Sequence, residues 1–345
     1  MSVLQGLKSV LSFPLRKSGL VVERAQTSDA LKRRAAVAVD LVAALTAVPE
    51  RNRSHNAEAV VFSMDRAMQL DALLGSYVAK VKNPAPLHIL YRATTSAHRK
   101  AYDQALALYD VVVRDITVQE ARTTFRQQLL GIIDQISAPK ILFLVDDDVF
   151  VEPVDFNRMT SIESRWAIPS LRLGTNLSMT YVLQKKQPHP KFFSWDGVSA
   201  SKSAEAPSAV GDSDDLLCWR WKDGVFEWAY PLSVDGHFFA TAEIAALIRH
   251  TEFDSPNTLE GNLQLYADFF MSRLGVCYRK SRLVNVPCNK VQTDNRNIHG
   301  DLHQDELLRK WQSGLRIHLE SLYGIMNRGA HEDIPLVFRR RETTQ

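Results

Sequence analysis

Cysteine is scarce in this 345-residue chain: Cys218, Cys277 and Cys288 are odd in number, and no two of them form a C-x-x-C pair. That argues against a structural zinc site and for a reducing compartment. Long apolar runs are missing as well. No segment approaches the roughly 20 unbroken apolar residues of a membrane span. The opening stretch MSVLQGLKSVLSFPLRKSGLVV is a poor signal peptide, because Lys8 and Pro14 break it and further basic residues follow its apolar part. Val3, Leu4, Leu7, Val10 and Leu11 do fall at helical spacing, so the expectation is a docking arm or frayed terminus, with a weak interfacial helix as the alternative. An excess of one charge is also absent. The formal net charge is only +3, so charge alone implies no nucleic-acid partner. The expected location is the cytoplasm, with peripheral contact at the inner membrane face as an option for the basic end FRRRETTQ.

What is present is a globular balance of 45% hydrophobic and 23% charged residues, enough to bury a core without disulfides. Residues 29 to 48 are rich in Ala, Leu and Val and predict a helix ending before Pro49. From residue 57 strands and helices alternate. AEAVVFS predicts a strand, and DRAMQLDALLGSYVAKV a helix with Leu70, Leu73, Leu74 and Tyr77 on one face. PLHILYRA, a helix over SAHRKAYDQALALY, the strand DVVVRDI, a helix over VQEARTTFRQQLLGIIDQIS and the strand KILFLVDDD follow. This rhythm predicts an α/β fold with a mostly parallel, Rossmann-like sheet flanked by helices. After residue 151 the pattern becomes aromatic-rich and irregular, which predicts an α+β half of the same domain. Residues 199 to 215 are poor in bulky apolar groups and predict a loop. The expected organisation is an N-terminal helical extension (1–56), a Rossmann-like half (57–151), a second half (152–300) and a C-terminal helical tail (301–345).

The stretch ILFLVDDDVFV poses the chemical question. Asp146, Asp147 and Asp148 interrupt an apolar strand, and ionised carboxylates are costly to bury unless paired, hydrogen-bonded or metal-bound. Either the strand ends there and the acids cap a turn, or they gather around a cation. Ligands of parallel sheets bind at the carboxyl ends of the strands, which is where this triplet falls, and so does SMDR (63–66) after the first strand. If the extended geometry persists through 148, Asp146 and Asp148 converge on one ligand and Asp147 points away. Hard oxygen ligands of this kind suit Mg²⁺ or Mn²⁺. Ser63 and Asp65 suit recognition of a base or ribose, and Arg66, Arg92 and Arg126 can reach phosphate.

VVFSMDRAMQL, ILFLVDDDVFV and a later acidic helix resemble, in this order, the nucleotide-sugar-dependent glycosyltransferases of the GT-A fold, the broad family-2 type that includes bacterial polysaccharide enzymes. The resemblance covers roughly residues 57 to 300. It implies a nucleotide diphosphate sugar as donor, a glycan or lipid-linked sugar as acceptor, and a divalent cation. Asp148 would then be the metal ligand, Asp146 would face ribose or metal, Asp147 would belong to the donor site, and His299 would be an added ligand. WAYPLSVDGHFFATAEI resembles the acceptor-side loop, with Gly236 allowing close backbone approach between Asp235 and His237. Glu260, in SPNTLEGNLQ, would be the general base, with Asp235 next, and the expected stereochemical outcome is inversion. The departure is at Gly261, where a second acid is usual. Trp195, Trp219, Trp221, Trp228 and Tyr230 are either a sugar-stacking platform or core, core being the safer reading for any one tryptophan. The competing readings are a metal-dependent nucleotidyltransferase, whose Gly-rich phosphate loop is missing after the first strand, and a non-catalytic carbohydrate-binding relative.

Overall fold

The computed structural model describes residues 25–46, 55–119, 123–180, 183–196, 215–287 and 303–341. The N-terminal arm, Arg122, most of the 199–215 loop, Cys288, Asp294, Asn295, Asn297 and His299 lie outside the described residues. Helix α1 (Ala25–Thr46) comes first. Strand β1 (Ala57–Met64), helix α2 (Ala67–Lys80), strand β2 (Leu87–Arg92), helix α3 (Ser96–Leu106), strand β3 (Val113–Val118), helix α4 (Phe125–Gln135) and strand β4 (Lys140–Val145) then alternate. β1 pairs in parallel with β2 on one side and β4 on the other, and β3 extends the sheet beyond β2. The expected mostly parallel α/β sheet is therefore present.

Burial on both faces explains the unbroken apolar strands. Along β1, Ala59 and Val61 face one core cluster while Val60 and Phe62 face another; along β4, Leu142 and Leu144 face the first while Ile141 and Phe143 face the second. Leu70, Leu73, Leu74 and Tyr77 of α2 are fully buried, as the helical spacing predicts. Helix α4 is shorter than expected at its start. Thr124 accepts from the amide of Gln127, and the Gln127 side chain returns to the Thr124 amide, a capping box that sets where the helix begins.

After β4 the chain turns at Asp146 and Asp147 and resumes as β5 (Asp148–Phe150). A second sheet combines β6 (Ala167–Ser170), β7 (Phe193–Ser194), β8 (Leu216–Arg220) and a later strand, β10 (Leu274–Tyr278). Between them, β9 (Phe238–Ala240) returns to the main sheet and pairs antiparallel with β4. Helices α5 (Thr241–His250) and α6 (Pro256–Leu263) follow, and β11 (Leu283–Asn285) pairs antiparallel with β5. Among the described residues the C-terminal stretch holds helix α7 (Gln304–Gln312), a 3-10 turn at Leu319–Ser321 and the antiparallel pair β12 (Leu315–Ile317) and β13 (Phe338–Arg340), so it is not wholly helical. Among the described residues no helix is long and apolar enough to cross a membrane.

At the amino end of the sheet, Glu58 is fully buried. Its carboxylate takes hydrogen bonds from His88 Nε2 at 2.7 Å, Arg114 Nη1 at 3.2 Å, and the amides of Ser137 and Ala138 at 3.1 and 3.0 Å. Burial alone would raise its pKa; the His88 bond and the two amides outweigh burial and hold it at about 2, against an ordinary 4.5. A folded pKa below the unfolded one contributes stability above pH 4.5 that is lost as the pH falls towards 2. Glu58→Gln is expected to lower the melting temperature at pH 7 and to flatten its decline between pH 4.5 and 2. Parallel melting-versus-pH curves for the two proteins would contradict this.

Candidate active site

The sheet order reverses between β1 and β4, because β2 and β3 lie on the far side of β1. A crevice opens outside the carboxyl ends of the strands at such a switch point. Here it is lined by SMDR and the aspartate triplet. Ser63 Oγ donates to Asp146 Oδ2 at 2.7 Å and lies 2.6 Å from the Tyr102 hydroxyl. Arg66 Nη1 stands 3.1 Å from Asp146 Oδ1 and 3.0 Å from Asp147 Oδ2. Asp65 has a left-handed backbone, φ +54°, and its carboxylate accepts from the Thr94 amide at 2.8 Å and from Thr94 Oγ1 at 2.6 Å.

The expectation that Asp146 and Asp148 share one side of an extended strand is not met. β4 ends at Val145, and the turn at 146–147 breaks the alternation. Asp146 and Asp147, not Asp146 and Asp148, converge on one group, the Arg66 guanidinium. Asp148 opens β5 fully buried; its Oδ2 accepts from the Val145 amide at 2.9 Å, and Asn285 Nδ2 reaches both Asp147 Oδ1 (2.8 Å) and Asp148 Oδ1 (3.4 Å).

Behind this triplet lies a second, deeper cluster. Asp148 and Asp235 are close enough for their carboxyls to hydrogen-bond to each other. Arg172, just past β6, places Nη1 2.7 Å from Ser233 Oγ and 3.1 Å from Asp235 Oδ2, and its Nη2 bonds Glu227. His331 Nε2 stands 3.6 Å from Asp235 Oδ2. Glu260 Oε1 accepts from Ser233 Oγ at 2.6 Å and from the Val234 amide at 3.1 Å. Glu260 lies in the second turn of α6, not at its start, because Ser255 and Thr258 form a capping box and Pro256 opens the helix.

The electrostatics divide the acids. Burial, then the charge of Asp235, pushes Asp148 well above the usual carboxylate range. Burial would raise Asp235 too, but Arg172 and then His331 overcome it and hold that carboxyl below its ordinary value. Burial raises Glu260, only partly offset by Arg172. Asp146 is pushed up to about 6 by burial against the pull of Arg66. Environments that drive neighbouring carboxyls apart are what acid–base chemistry requires.

The remaining sequence candidates fall in different places. Gly236 is left-handed, φ +74°, and a side chain there would collide with Leu283 Cδ2 at 2.6 Å. Its amide donates to the Phe143 carbonyl and its carbonyl accepts from the Leu171 amide, so the glycine serves the junction of two strands, with Leu283 packed closely against it. His237 is buried, and burial lowers its pKa to about 3; the neutral ring donates through Nδ1 to the Pro231 carbonyl at 3.2 Å, while Nε2 has no partner among the described residues. The Arg92 side chain is exposed at the end of β2. Arg126 bonds the carbonyls of Thr251 and Arg249, tying α4 to the end of α5. Trp219, Trp221 and Trp228 are fully buried and belong to the core.

All six carboxylate oxygens of the triplet have partners: Ser63, the Met64 amide and Arg66 serve Asp146, Arg66 and Asn285 serve Asp147, and Asn285 and the Val145 amide serve Asp148. Among the described residues no three His, Cys, Asp or Glu side chains are arranged to hold a metal ion. These residues therefore do not fit a preformed cation cage. Arg66 supplies the positive charge at the triplet.

Arg172, Glu227, Ser233, Asn285 and His331 were not singled out from the sequence. For Arg172 a signal existed: SLRLG places a lone guanidinium between leucines directly after an apolar strand, which demands buried counter-charges.

No family model matches the chain, and no curated protein is similar to it in sequence. Solved structures with some likeness include a mannosyltransferase from Pyrobaculum calidifontis in complex with GDP-mannose and Mn²⁺, 10% identical over 44% of this chain and 46% of that one, TM-score 0.29. A 4-diphosphocytidyl-2C-methyl-D-erythritol synthase from Anaerococcus prevotii is 11% identical over 69% of this chain and 92% of that one, TM-score 0.35. The bifunctional glycosyltransferase WbbM is 10% identical over 62% of this chain and 38% of that one, TM-score 0.31. This chain thus spans less than half of the length of either glycosyltransferase. Likeness at this level carries no argument about activity.

Removing one partner of a buried ion cluster strands the others. Arg172→Met is expected to cost about 3–5 kcal/mol of folding stability in urea denaturation, since Asp235 and Glu227 lose their counter-charge. A loss below about 1 kcal/mol, the range of an exposed pair, would contradict the buried network.

Proposed function

We propose that this chain transfers a sugar from a nucleotide diphosphate sugar to a hydroxyl of a glycan or lipid-linked acceptor. The observation that carries this reading is convergence. Residues 63–66, 146–148, 172, 233–237 and 260, far apart in sequence, form two adjoining clusters at the sheet's switch point, one offering a guanidinium and the other carboxyls with separated pKa values. The β1 side, with Ser63, Asp65 and Arg92, suits the nucleoside. Arg66, 12% exposed, offers a guanidinium beside the triplet for contact with a diphosphate oxygen.

Glu260 is the base. Its raised pKa makes it a stronger proton acceptor than an ordinary carboxylate, and Ser233 and the Val234 amide fix the orientation of its carboxylate. As it takes the acceptor's proton, the acceptor oxygen bonds to the anomeric carbon. The bond to the nucleotide diphosphate breaks, and the leaving group carries away the electron pair. Attack opposite the leaving group inverts the anomeric centre. Asp235, kept ionised by Arg172, stabilises positive charge developing on the sugar ring.

Calorimetry with UDP, GDP, CMP and dTDP, each with Mn²⁺ and with EDTA, tests the donor side. One nucleotide is expected to bind, and Arg66→Ala to weaken it by on the order of tenfold. Binding by none of them, in folded protein, would leave the carbohydrate-binding reading instead. On the catalytic side, Glu260→Gln is expected to abolish transfer while nucleotide binding persists. In the wild type kcat/KM should fall as the pH drops through the raised pKa of Glu260, because protonation removes the base.

A further inference from the structure

The loop between two buried tryptophans presents an aromatic ring in an unfavourable way. Trp219, Trp221 and Trp228 are fully buried and packed edge to face, with centroids 4.7 Å apart for Trp219 and Trp221 and 5.0 Å for Trp219 and Trp228. Trp219 Nε1 donates to the Trp228 carbonyl at 3.0 Å. The chain from Trp221 to Trp228 is therefore anchored at both ends. Within it the Gly224 amide bonds the Trp221 carbonyl and the Trp228 amide the Val225 carbonyl, and a side chain on Gly224 would lie 2.1 Å from the Trp228 carbonyl oxygen.

At the tip stands Phe226, with φ +53° and 41% of its surface exposed, beside Val225 at 43%. A left-handed residue in a tight loop is ordinarily glycine or asparagine, and a bulky side chain there is strained. Phenylalanine adds exposed apolar surface to that strain. Neither feature helps folding, and strain of this sort gathers at functional sites. The next residue, Glu227, accepts from Arg172 of the deep cluster, and its amide donates to Gln187 Oε1 at 3.2 Å. Phe226 thus sits, in a loop anchored at both ends, one residue before a side chain that bonds the deep cluster.

We propose that Phe226 is the acceptor-binding platform, stacking on the C–H face of a pyranose ring. The exposed Lys222 and Asp223 on the same loop supply a donor and an acceptor for the sugar's hydroxyls. An apolar face rimmed by hydroxyls is the chemistry that a fixed phenyl ring with flanking polar groups recognises. This inference rests on the glycosyl-transfer reading and adds to it the class of acceptor and the residue that positions it.

Saturation-transfer NMR on the full chain tests it, with the methyl glycosides of glucose, galactose, mannose and N-acetylglucosamine as probes. Wild type, Phe226→Gly and Phe226→Trp are compared, and the nucleotide titrations are run on the same samples. At least one glycoside is expected to receive saturation on the C–H protons of one ring face in the wild type and in Phe226→Trp. Phe226→Gly is expected to lose that signal while melting no lower than the wild type, since glycine takes this φ without strain. No signal from any glycoside, or an undiminished one in Phe226→Gly, overturns the proposal. So does loss of nucleotide binding in place of glycoside binding, which would make the ring a base-stacking group. If the wild type binds glycosides through Phe226 but no nucleotide, the platform stands and the transferase reading falls.

Discussion

Two guanidiniums make this site possible. Several acids crowd behind the carboxyl ends of β1 and β4, and burying ionised carboxylates without counter-charge is prohibitive. Arg66 neutralises Asp146 and Asp147; Arg172 neutralises Asp235 and Glu227. Burial and the neighbouring Asp235 raise the proton affinity of Asp148, which eases its burial beside them. Each solution leaves its neighbours with a different proton affinity, so the compensation that allows folding also sets which acid is ionised. Glu260, drawn in through Ser233 and not paired directly to a guanidinium by hydrogen bond, keeps the raised pKa of a base.

The sheet determines where those guanidiniums stand. β1 and β4 run in parallel with β1 leading to β2 on the opposite side, which places SMDR and the aspartate triplet against each other across the switch point. β9 then enters antiparallel beside β4, and Gly236 hydrogen-bonds at once to Phe143 and Leu171. That junction fastens Asp235 to the end of the parallel sheet and to the segment carrying Arg172. A left-handed glycine is required there, because both the backbone angle and Leu283 exclude a side chain.

Rigidity comes from the second half. Trp219, Trp221 and Trp228 are buried, and Gly275 gives Trp219 its space: a side chain on that glycine would lie 2.2 Å from the indole. This packing holds the 221–228 loop, Glu227 and, through Glu227, one side of Arg172. The aromatic core and the charged cluster are therefore joined through Glu227.

The sequence by itself determined the parallel sheet, because alternating apolar strands and amphipathic helices are local patterns: β1, α2, β2, α3 and β4 all lie where periodicity places them. It also marked Asp148, Asp235 and Glu260, since acids beside apolar segments are conspicuous. What it did not determine was which groups answer them. The turn at 146–147 reverses the side-chain alternation on which the shared role of Asp146 and Asp148 depended, and the pairing of β5 with β11 that brings Asn285 to the triplet joins residues 137 positions apart. Arg172 finds Asp235 and Glu227 only once two sheets are joined at Gly236. Charge compensation acts through space between side chains that no local pattern relates, so tertiary structure alone decided it.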